Sequence, residues 1–223
     1  MRKRPVVAID GPSGAGKTTA SMRLAEVTGM LRLDTGAMYR ACALAARRAG
    51  IPWDDGERLG EVARGMKLSF RTVGGAERVF LGEEDVSEAI RTPEMSMGAS
   101  AVSAHGPVRE ALVAIQREMG KDGGVVLEGR DTGTVVFPDA EVKFFLDAAA
   151  PVRALRRYRE LGAPAGQGYE EVLRDVLRRD VQDSTREHSP LRVAEGAVYV
   201  DTTTLTVDEV LDALLRHLPG RRP

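Results

Sequence analysis

The sequence contains no asparagine, one cysteine and one tryptophan, and these scarcities exclude several kinds of protein. Without asparagine the chain has no N-glycosylation acceptor and no Asn-Lys-x-Asp motif for reading guanine. The single cysteine, Cys42, permits no internal disulfide and is typical of a reducing cytosol. No apolar run approaches the roughly 18 residues of a membrane span, and the apolar stretch before Asp10 is too short for a signal peptide. We therefore expect a cytoplasmic protein without a membrane partner.

Net charge and aromatic side chains are also scarce. The chain has 32 Lys and Arg against 33 Asp and Glu, and only 4% of its residues are aromatic. Proteins that bind nucleic acid use basic surfaces and stacking aromatics, so we expect no nucleic-acid partner. The 223 residues, 43% of them hydrophobic, suffice for one domain with a buried core. Nothing in the pattern requires a dimer, and we expect a monomer.

Strand and helix patterns alternate along most of the chain, which predicts an α/β fold with a mainly parallel central sheet flanked by helices. The predicted strands are 6–9, 31–36, 125–129, 142–147 and 197–202. The predicted helices are 16–27, 37–49, 57–66, 94–104, 107–119, 151–161, 169–181 and a last one opened by the capping box Thr206-x-x-Glu209. Residues 67–81 instead alternate around Gly74-Gly75, which predicts a small antiparallel insertion.

The clearest motif is GPSGAGKT at residues 11–18, which has the form G-x-x-x-x-G-K-T between a predicted strand and a predicted helix. Backbone N–H groups of such a loop, together with the helix N-terminus, bind phosphate oxygens. We expect Lys17 to reach the β and γ phosphates of ATP and the Thr18 hydroxyl to hold Mg²⁺, the expected cofactor. The predicted ATP-binding residues of the loop are Gly11, Pro12, Ser13, Gly14, Ala15, Gly16, Lys17, Thr18 and Thr19.

Charged residues follow two other predicted strands, where ligands of open α/β sheets bind. Asp34-Thr35-Gly36 closes the second predicted strand, and Tyr39-Arg40 lies on the helix after it. Glu128-Gly129-Arg130-Asp131 closes and follows the strand at 125–129. Charges between glycines are not explained by packing, because a buried charge is costly unless it is paired. These residues therefore predict an acceptor pocket, with a surface salt bridge as the alternative.

Arginines are concentrated in the two helices that flank the Gly/Pro/Ala-rich loop 161–168. Arginine binds phosphate in bidentate fashion, so this arrangement predicts a lid that closes over phosphates. The alternative is two solvated helices with i,i+4 ion pairs such as Glu170 with Arg174. The charged residues concerned are Arg153, Arg156, Arg157, Arg174, Arg178, Arg179, Asp180, Asp183 and Arg186.

Several functions are compatible with these motifs. A phosphate loop with a second arginine-rich pocket favours a kinase of a small acceptor. The runner-up among enzymes is a kinase whose acceptor is UMP or a non-nucleotide alcohol. An ATP-binding regulatory module is a further alternative, although a sensor needs one anionic pocket rather than two.

Taken in order, the motifs resemble the bacterial cytidylate kinases over nearly the whole chain. The matching segments are IDGPSGAGKTT, LDTGAMYR, EDVSEAIRTPE, GPVREAL, GRDTGTVVFPDA, VKFFLDA, RDVQDSTREHSPL and VDTTTLTVDEV. The resemblance implies a P-loop nucleoside monophosphate kinase fold in one domain, 1–223. Its core would be about 1–64, 94–150 and 190–223, with a monophosphate-binding insertion at 65–93 and a helical lid at 151–189.

The resemblance also implies ATP-dependent phosphorylation of CMP and dCMP, and it assigns residue roles. The implied CMP-binding residues are Thr35, Arg40, Ser100, Arg109, Arg130, Asp131, Arg179, Asp183 and Arg186. Arg156 and Arg157 would contact ATP from the lid. The implied catalytic residues are Lys17, Arg40, Arg130, Arg157 and Arg179.

Discrimination of cytosine from uracil has a simple chemical basis. A carboxylate can accept from the cytosine amino group, whereas uracil presents a carbonyl there and would leave the carboxylate unpaired. Asp131 and Asp183 are both candidates, and the sequence does not divide the base and sugar contacts between them. The chain departs from the family pattern at Thr132 and Ser184, where we expect fine tuning and not a new reaction.

Overall fold

The computed structural model describes residues 2–160, 162 and 168–219, so most of the predicted loop 161–168 lies outside the described residues. The strands are β1 (Val6–Asp10), β2 (Leu31–Asp34), β3 (Leu68–Val73), β4 (Ala76–Leu81), β5 (Glu84–Asp85), β6 (Val125–Gly129), β7 (Val142–Asp147) and β8 (Val198–Asp201). The α-helices are α1 (Lys17–Thr28), α2 (Thr35–Arg48), α3 (Gly56–Gly65), α4 (Pro93–Val102), α5 (Gly106–Gly120), α6 (Ala150–Glu160), α7 (Tyr169–Thr185) and α8 (Val207–Leu215). None of the helices in the described part of the chain is long and apolar enough to cross a membrane.

The chain divides into two compact units, Met1–Arg32 with Gly120–Pro223 and Leu33–Met119. A five-stranded sheet in the order β2-β6-β1-β7-β8 underlies the first unit. β1 pairs in parallel with β6 and β7, and β7 pairs in parallel with β8. The carboxyl ends of these strands therefore meet at one edge, where the loops after β1 and β6 begin. The prediction of a mainly parallel central sheet is confirmed.

The core of the first unit forms where the sheet packs against helices α1 and α8. Ile9, Leu24, Phe144, Leu146 and Leu214 are each almost fully buried in it. Two apolar residues of α1 and α7, Val27 and Leu177, lie outside this buried face and are 42% and 47% exposed. Because a helical turn holds 3.6 residues, Val27 and Leu177 each lie to one side of the i,i+4 pair of residues that their own helix buries.

The second unit has its own apolar core, made by helices α2 to α5 and a small sheet. Met38, Leu59, Met95 and Leu112 are fully buried there. β3 and β4 form the predicted antiparallel hairpin, whose turn residues Gly74 and Gly75 both have positive φ. The two-residue strand β5 extends this sheet; it is too short for periodicity to predict.

Candidate functional site

The loop between β1 and α1 runs very close to neighbouring backbone. A Cβ on Gly11 would lie 1.9 Å from the carbonyl oxygen of Leu146. Gly16, the residue before α1, has a left-handed φ of 87°. Gly11 is thus required because a side chain would not fit there, and Gly16 because its backbone is left-handed. Both requirements agree with the phosphate-loop prediction.

Four consecutive carbonyl groups of this loop accept hydrogen bonds from side chains of the same unit. The pairs are Pro12 with Lys17 at 2.7 Å, Ser13 with Arg153 at 3.2 Å, Gly14 with Arg156 at 3.4 Å and Ala15 with Thr202 at 3.0 Å. In a trans peptide the carbonyl and the N–H point in opposite directions. Fixing the carbonyls in this way restricts rotation of the peptide planes, and so also fixes the loop N–H groups that can bind an anion.

Lys17 is buried at the start of α1, and its ammonium group is held against the loop through the Pro12 carbonyl. Burial, and after it the positive charge of Arg130, lowers the pKa of Lys17 from 10.5 to about 7. Glu128 and Asp183 act in the opposite direction but do not outweigh burial. The phosphate loop therefore presents a lysine that is short of negative partners.

Glu128, at the end of β6, lies against the first turn of α1. Its Oε2 accepts the Thr18 hydroxyl at 2.8 Å, and its Oε1 is 3.1 Å from the Ser21 hydroxyl. Arg32 closes the group with a buried ion pair to Oε1 at 2.5 Å. The sequence had grouped Glu128 with the acceptor pocket, and it had not predicted roles for Ser21 or Arg32. The sequence signal that could have predicted this role was a carboxylate near the end of β6, the strand beside β1.

Asp10 is a second buried carboxylate that the sequence did not single out. It accepts from the backbone N–H groups of Thr132 and Gly133 and from the Thr132 hydroxyl, all at 2.8 Å. Burial raises the pKa of Asp10 to about 6, although these hydrogen bonds act to lower it. The bonds fix the turn that follows Arg130 and Asp131. The departure at Thr132 thus supplies one more hydrogen bond to this anchor.

Arg130 and Asp131 each form an ion pair with a residue that is distant in the chain but belongs to the same unit. Arg130 Nε donates to Asp183 Oδ2 at 2.7 Å, and Arg186 Nη2 lies 3.7 Å from Asp131 Oδ1. Burial acts to raise the pKa of Asp183, but the charges of Arg130 and Arg179 outweigh it and hold that pKa below its ordinary value. The result is a partly buried cluster of three arginines and two aspartates, electrostatically coupled to Lys17 through Arg130, Arg179 and Asp183.

The arginines of α6 differ in what they contact. Arg153 is buried, donates to Asp180 through both terminal nitrogens at 3.0 and 2.7 Å, and packs against the phosphate loop. It therefore braces the loop from behind, whereas the sequence placed it among lid residues. Arg156 donates to the carbonyl and hydroxyl of Thr202, and Arg157 lies nearer the solvent with Glu160 at 3.3 Å.

The second unit holds the remaining predicted site residues. Asp34 caps α2 by accepting from the Ala37 N–H, and its other oxygen pairs with Arg40 at 3.0 Å. Thr35, the first residue of α2, is buried. This small network holds the Arg40 side chain beside the start of the helix.

Arg109 is the most buried of the predicted acceptor arginines. It lies 5.5 Å from the centre of the Tyr39 ring and donates to the Ser103 carbonyl at 3.2 Å. The Ser100 carbonyl accepts the Ser103 hydroxyl at 2.9 Å, which places Ser100 in the same part of α4. Within each unit the predicted residues are thus brought together, with the phosphate loop, Arg130, Asp131, Asp183 and Arg186 in the first and Thr35, Arg40, Ser100 and Arg109 in the second.

A parallel sheet with a glycine-rich loop between its first strand and helix defines the class of P-loop α/β proteins. A solved structure of this fold comes from an uncharacterized protein of Eubacterium ventriosum ATCC 27560. It matches with a TM-score of 0.53 at 10% identity, covering 98% of this chain and 100% of that one. This likeness concerns the fold alone.

Sequence comparison specifies the family. A family model described as cytidylate kinase matches residues 7–219. A cytidylate kinase of Geobacter sp. (strain M21) is 54% identical over 97% of this chain and 93% of its own length. One from Syntrophotalea carbinolica is 51% identical over 100% of this chain and 95% of its own. The chain belongs to the cytidylate kinase family, which confirms the resemblance seen in the motifs.

Proposed function

We propose that this protein transfers the γ-phosphoryl group of ATP to CMP and dCMP, giving ADP with CDP or dCDP. The observation that carries the proposal is the adjacency, within one unit, of a phosphate loop and an arginine–aspartate cluster. The loop supplies N–H groups and Lys17 for the donor phosphates. The cluster supplies guanidinium groups for a second anion and carboxylates that can read polar edges of a base or sugar. Family membership supports the same acceptor.

The reaction needs no covalent enzyme intermediate, because the acceptor phosphate is already an anionic nucleophile. We propose direct in-line attack by a CMP phosphate oxygen on the γ-phosphorus of ATP, with ADP as leaving group. Catalysis then consists of positioning and of stabilising the charge on the transferring group. The residues proposed for this work are Lys17, Arg40, Arg130, Arg157 and Arg179.

The residues beside the loop fit a Mg²⁺ ion bound with the nucleotide. Mg²⁺ prefers hard oxygen ligands and is held in kinases by few protein groups together with substrate phosphates. The Thr18 hydroxyl and the Glu128 carboxylate, 2.8 Å apart, are two such groups. When bound, the ion neutralises charge on the phosphates. We propose Thr18 as the ligand and Glu128 as the acidic residue that assists it.

Base recognition is proposed to rest on Asp131 and Asp183. Both carboxylates are buried, and each faces an arginine that restrains it. A substrate that cannot donate to such a carboxylate leaves it with one partner fewer inside the protein, and this penalises UMP.

A panel of acceptors tests the proposal. ADP formation from Mg·ATP should be strong with CMP and dCMP and weak with UMP, AMP, GMP, dTMP and shikimate. The same panel on Asp131→Asn and Asp183→Asn would divide base from sugar recognition, because loss of the base contact narrows the gap between CMP and UMP. Equal turnover of UMP and CMP by the parent protein would refute this account of discrimination. ATP binding without turnover of any acceptor would instead indicate a regulatory module.

Nucleotide binding should be accompanied by proton uptake. The lowered pKa of Lys17, about 7, means that more of this side chain is neutral at pH 8 than at pH 6 before binding. Nearby phosphates favour the ammonium form and raise the pKa again, so binding of Mg·ADP should take up more protons at pH 8 than at pH 6. Titration calorimetry in buffers of different ionisation enthalpy measures this uptake. Lys17→Arg is the matched control, since its side chain stays charged, and uptake that persists in it would contradict the assignment to Lys17.

The proposal also assigns roles to two larger segments of the chain. We infer that the segment 151–189 acts as a lid over the phosphates and that the insertion at 65–93 belongs to the monophosphate-binding region. Arg156, Arg157 and Arg179, which α6 and α7 carry, support the first inference. Monomeric state, cytoplasmic location and the lack of a nucleic-acid partner stay predictions from the sequence.

A further inference from the structure

A buried arginine outside every predicted site, Arg32 on β2, contacts the carboxylate behind the phosphate loop. Its side chain is 9% exposed and that of Glu128 is 4% exposed. One terminal nitrogen lies 2.5 Å from Glu128 Oε1, and Nε donates to the Ser21 hydroxyl at 2.9 Å. Arg32 therefore bridges β6, which carries Glu128, and α1, which carries Ser21.

The Thr18 hydroxyl is oriented by the same carboxylate. It donates its single proton to Glu128 Oε2 at 2.8 Å. A hydroxyl has one proton and two lone pairs, so this bond directs the lone pairs away from the buried carboxylate. Thr18 is itself exposed, whereas Glu128 behind it is buried. The lone pairs consequently face the side from which a metal–nucleotide complex would arrive.

Glu128 has a competing cation within range. Its charge acts on the Lys17 ammonium, which is short of negative partners and is needed for phosphates. A glutamate free to turn toward Lys17 would release the Thr18 proton and neutralise the lysine. The ion pair with Arg32 opposes this movement because it holds Oε1 in place.

We propose that Arg32 is a positioning residue for the divalent cation of the nucleotide substrate. It fixes Glu128 through Oε1, so that Oε2 retains the Thr18 proton and the hydroxyl can offer a lone pair to the cation. Arg32 does not touch the substrate. This inference rests on the proposed function, since it takes a metal-bound nucleotide as the ligand.

The test separates metal binding from nucleotide binding. The Kd of Mn²⁺ in the ADP complex is measured from the electron paramagnetic resonance signal of free Mn²⁺, and the Kd of metal-free ADP is measured by calorimetry. Arg32→Met should weaken Mn²⁺ about tenfold, the lower end of what loss of a supporting group costs. Metal-free ADP should bind the variant within about twofold of the parent protein, since Arg32 does not touch the nucleotide. Arg4→Met is the matched control, because Arg4 donates to the carbonyls of Thr28 and Gly29 in the same unit.

A double-mutant cycle shows whether Arg32 acts through Glu128. In a Glu128→Gln background, Arg32→Met should weaken Mn²⁺ no further. Arg32→Lys keeps the charge, but an ammonium group cannot bridge Glu128 and Ser21 as the planar guanidinium does. This variant should therefore lose less Mn²⁺ affinity than Arg32→Met, again with little change for metal-free ADP. It replaces Arg32→Met in the test if that variant does not fold. Equal losses of Mn²⁺ and metal-free ADP affinity, or an undiminished effect in the Gln background, would overturn the proposal. A parent protein that binds no ADP at all would instead overturn the proposed function.

Discussion

A Lys17→Met protein should phosphorylate CMP at least about 10³-fold more slowly than the parent protein at saturating ATP. Lys17 holds its ammonium group 2.7 Å from the Pro12 carbonyl, within the loop that is proposed to bind the donor phosphates. Methionine fills similar space without the charge, so it removes stabilisation from the transferring group while leaving the loop packed. The measurement is kcat from coupled detection of ADP with CMP as acceptor.

The same variant distinguishes lost catalysis from lost folding. Burial lowers the pKa of Lys17 to about 7, which means that the folded protein disfavours the charged lysine at neutral pH. Removing that charge should leave the melting temperature unchanged or raise it. Lys143→Met is the control, because the Lys143 ammonium donates to the Glu195 carbonyl at 3.3 Å. A Lys17→Met protein that keeps more than a tenth of the parent kcat would contradict the assignment.

The phosphate loop could be predicted from sequence because its chemistry is local. Gly11 and Gly16 are needed for close approach and for a left-handed turn, and both requirements act within a few residues of Lys17. The same holds for the Gly74-Gly75 hairpin and for the capping box at Thr206 and Glu209, which the structure reproduces. In each of these patterns, the residues that determine the local structure are close together in the sequence.

The supports of the site were not predictable, because they join residues far apart in the chain. Arg32 meets Glu128 across 96 positions, and Asp10 holds the turn at Thr132 across 122. In sequence, Arg32 sits inside a strand and Asp10 ends one, and neither has a pattern that names its partner. Only the parallel pairing of β1 with β6 brings Asp10 and the residues after Gly129 to the same edge.

Arg153 shows that helical spacing alone does not reveal what an arginine contacts. It shares helix α6 with Arg156 and Arg157, and helical spacing alone gives all three as lid candidates. Burial separates them, since Arg153 is 5% exposed and is engaged by Asp180 and the Ser13 carbonyl. In that position Arg153 contacts the phosphate loop itself. Its role could be read only from the packing.

An Arg130→Met protein should lose about 10³-fold in kcat with CMP, comparable to the loss of an arginine that stabilises a transferring phosphoryl group. Arg130 follows β6 directly and lies close enough to Lys17 to lower its pKa, so its charge is near the donor phosphates. Its Nε is occupied by Asp183 at 2.7 Å, which orients the rest of the guanidinium fork. Arg130→Lys should recover only part of the loss, because an ammonium lacks the planar fork that can bind Asp183 and phosphate at once. The measurement is steady-state kcat and KM for each variant.

Asp183 provides a readout that does not depend on turnover. Burial acts to raise the pKa of Asp183, and Arg130 is the first of the charges that lower it. In Arg130→Met that pKa should therefore rise, so the carboxyl takes up its proton at a higher pH, which carbon-detected nuclear magnetic resonance of the side chain can follow. Arg178→Met is the matched control, since Arg178 is a solvent-exposed arginine of α7 paired with Asp175. If the pKa of Asp183 stayed in place while kcat fell, Arg130 would act on the phosphates alone; if kcat stayed within a factor of about ten, its catalytic assignment would be wrong. The paired measurement thus separates the two jobs that one guanidinium is proposed to perform, holding the carboxylate that reads the acceptor and stabilising the group that is transferred to it.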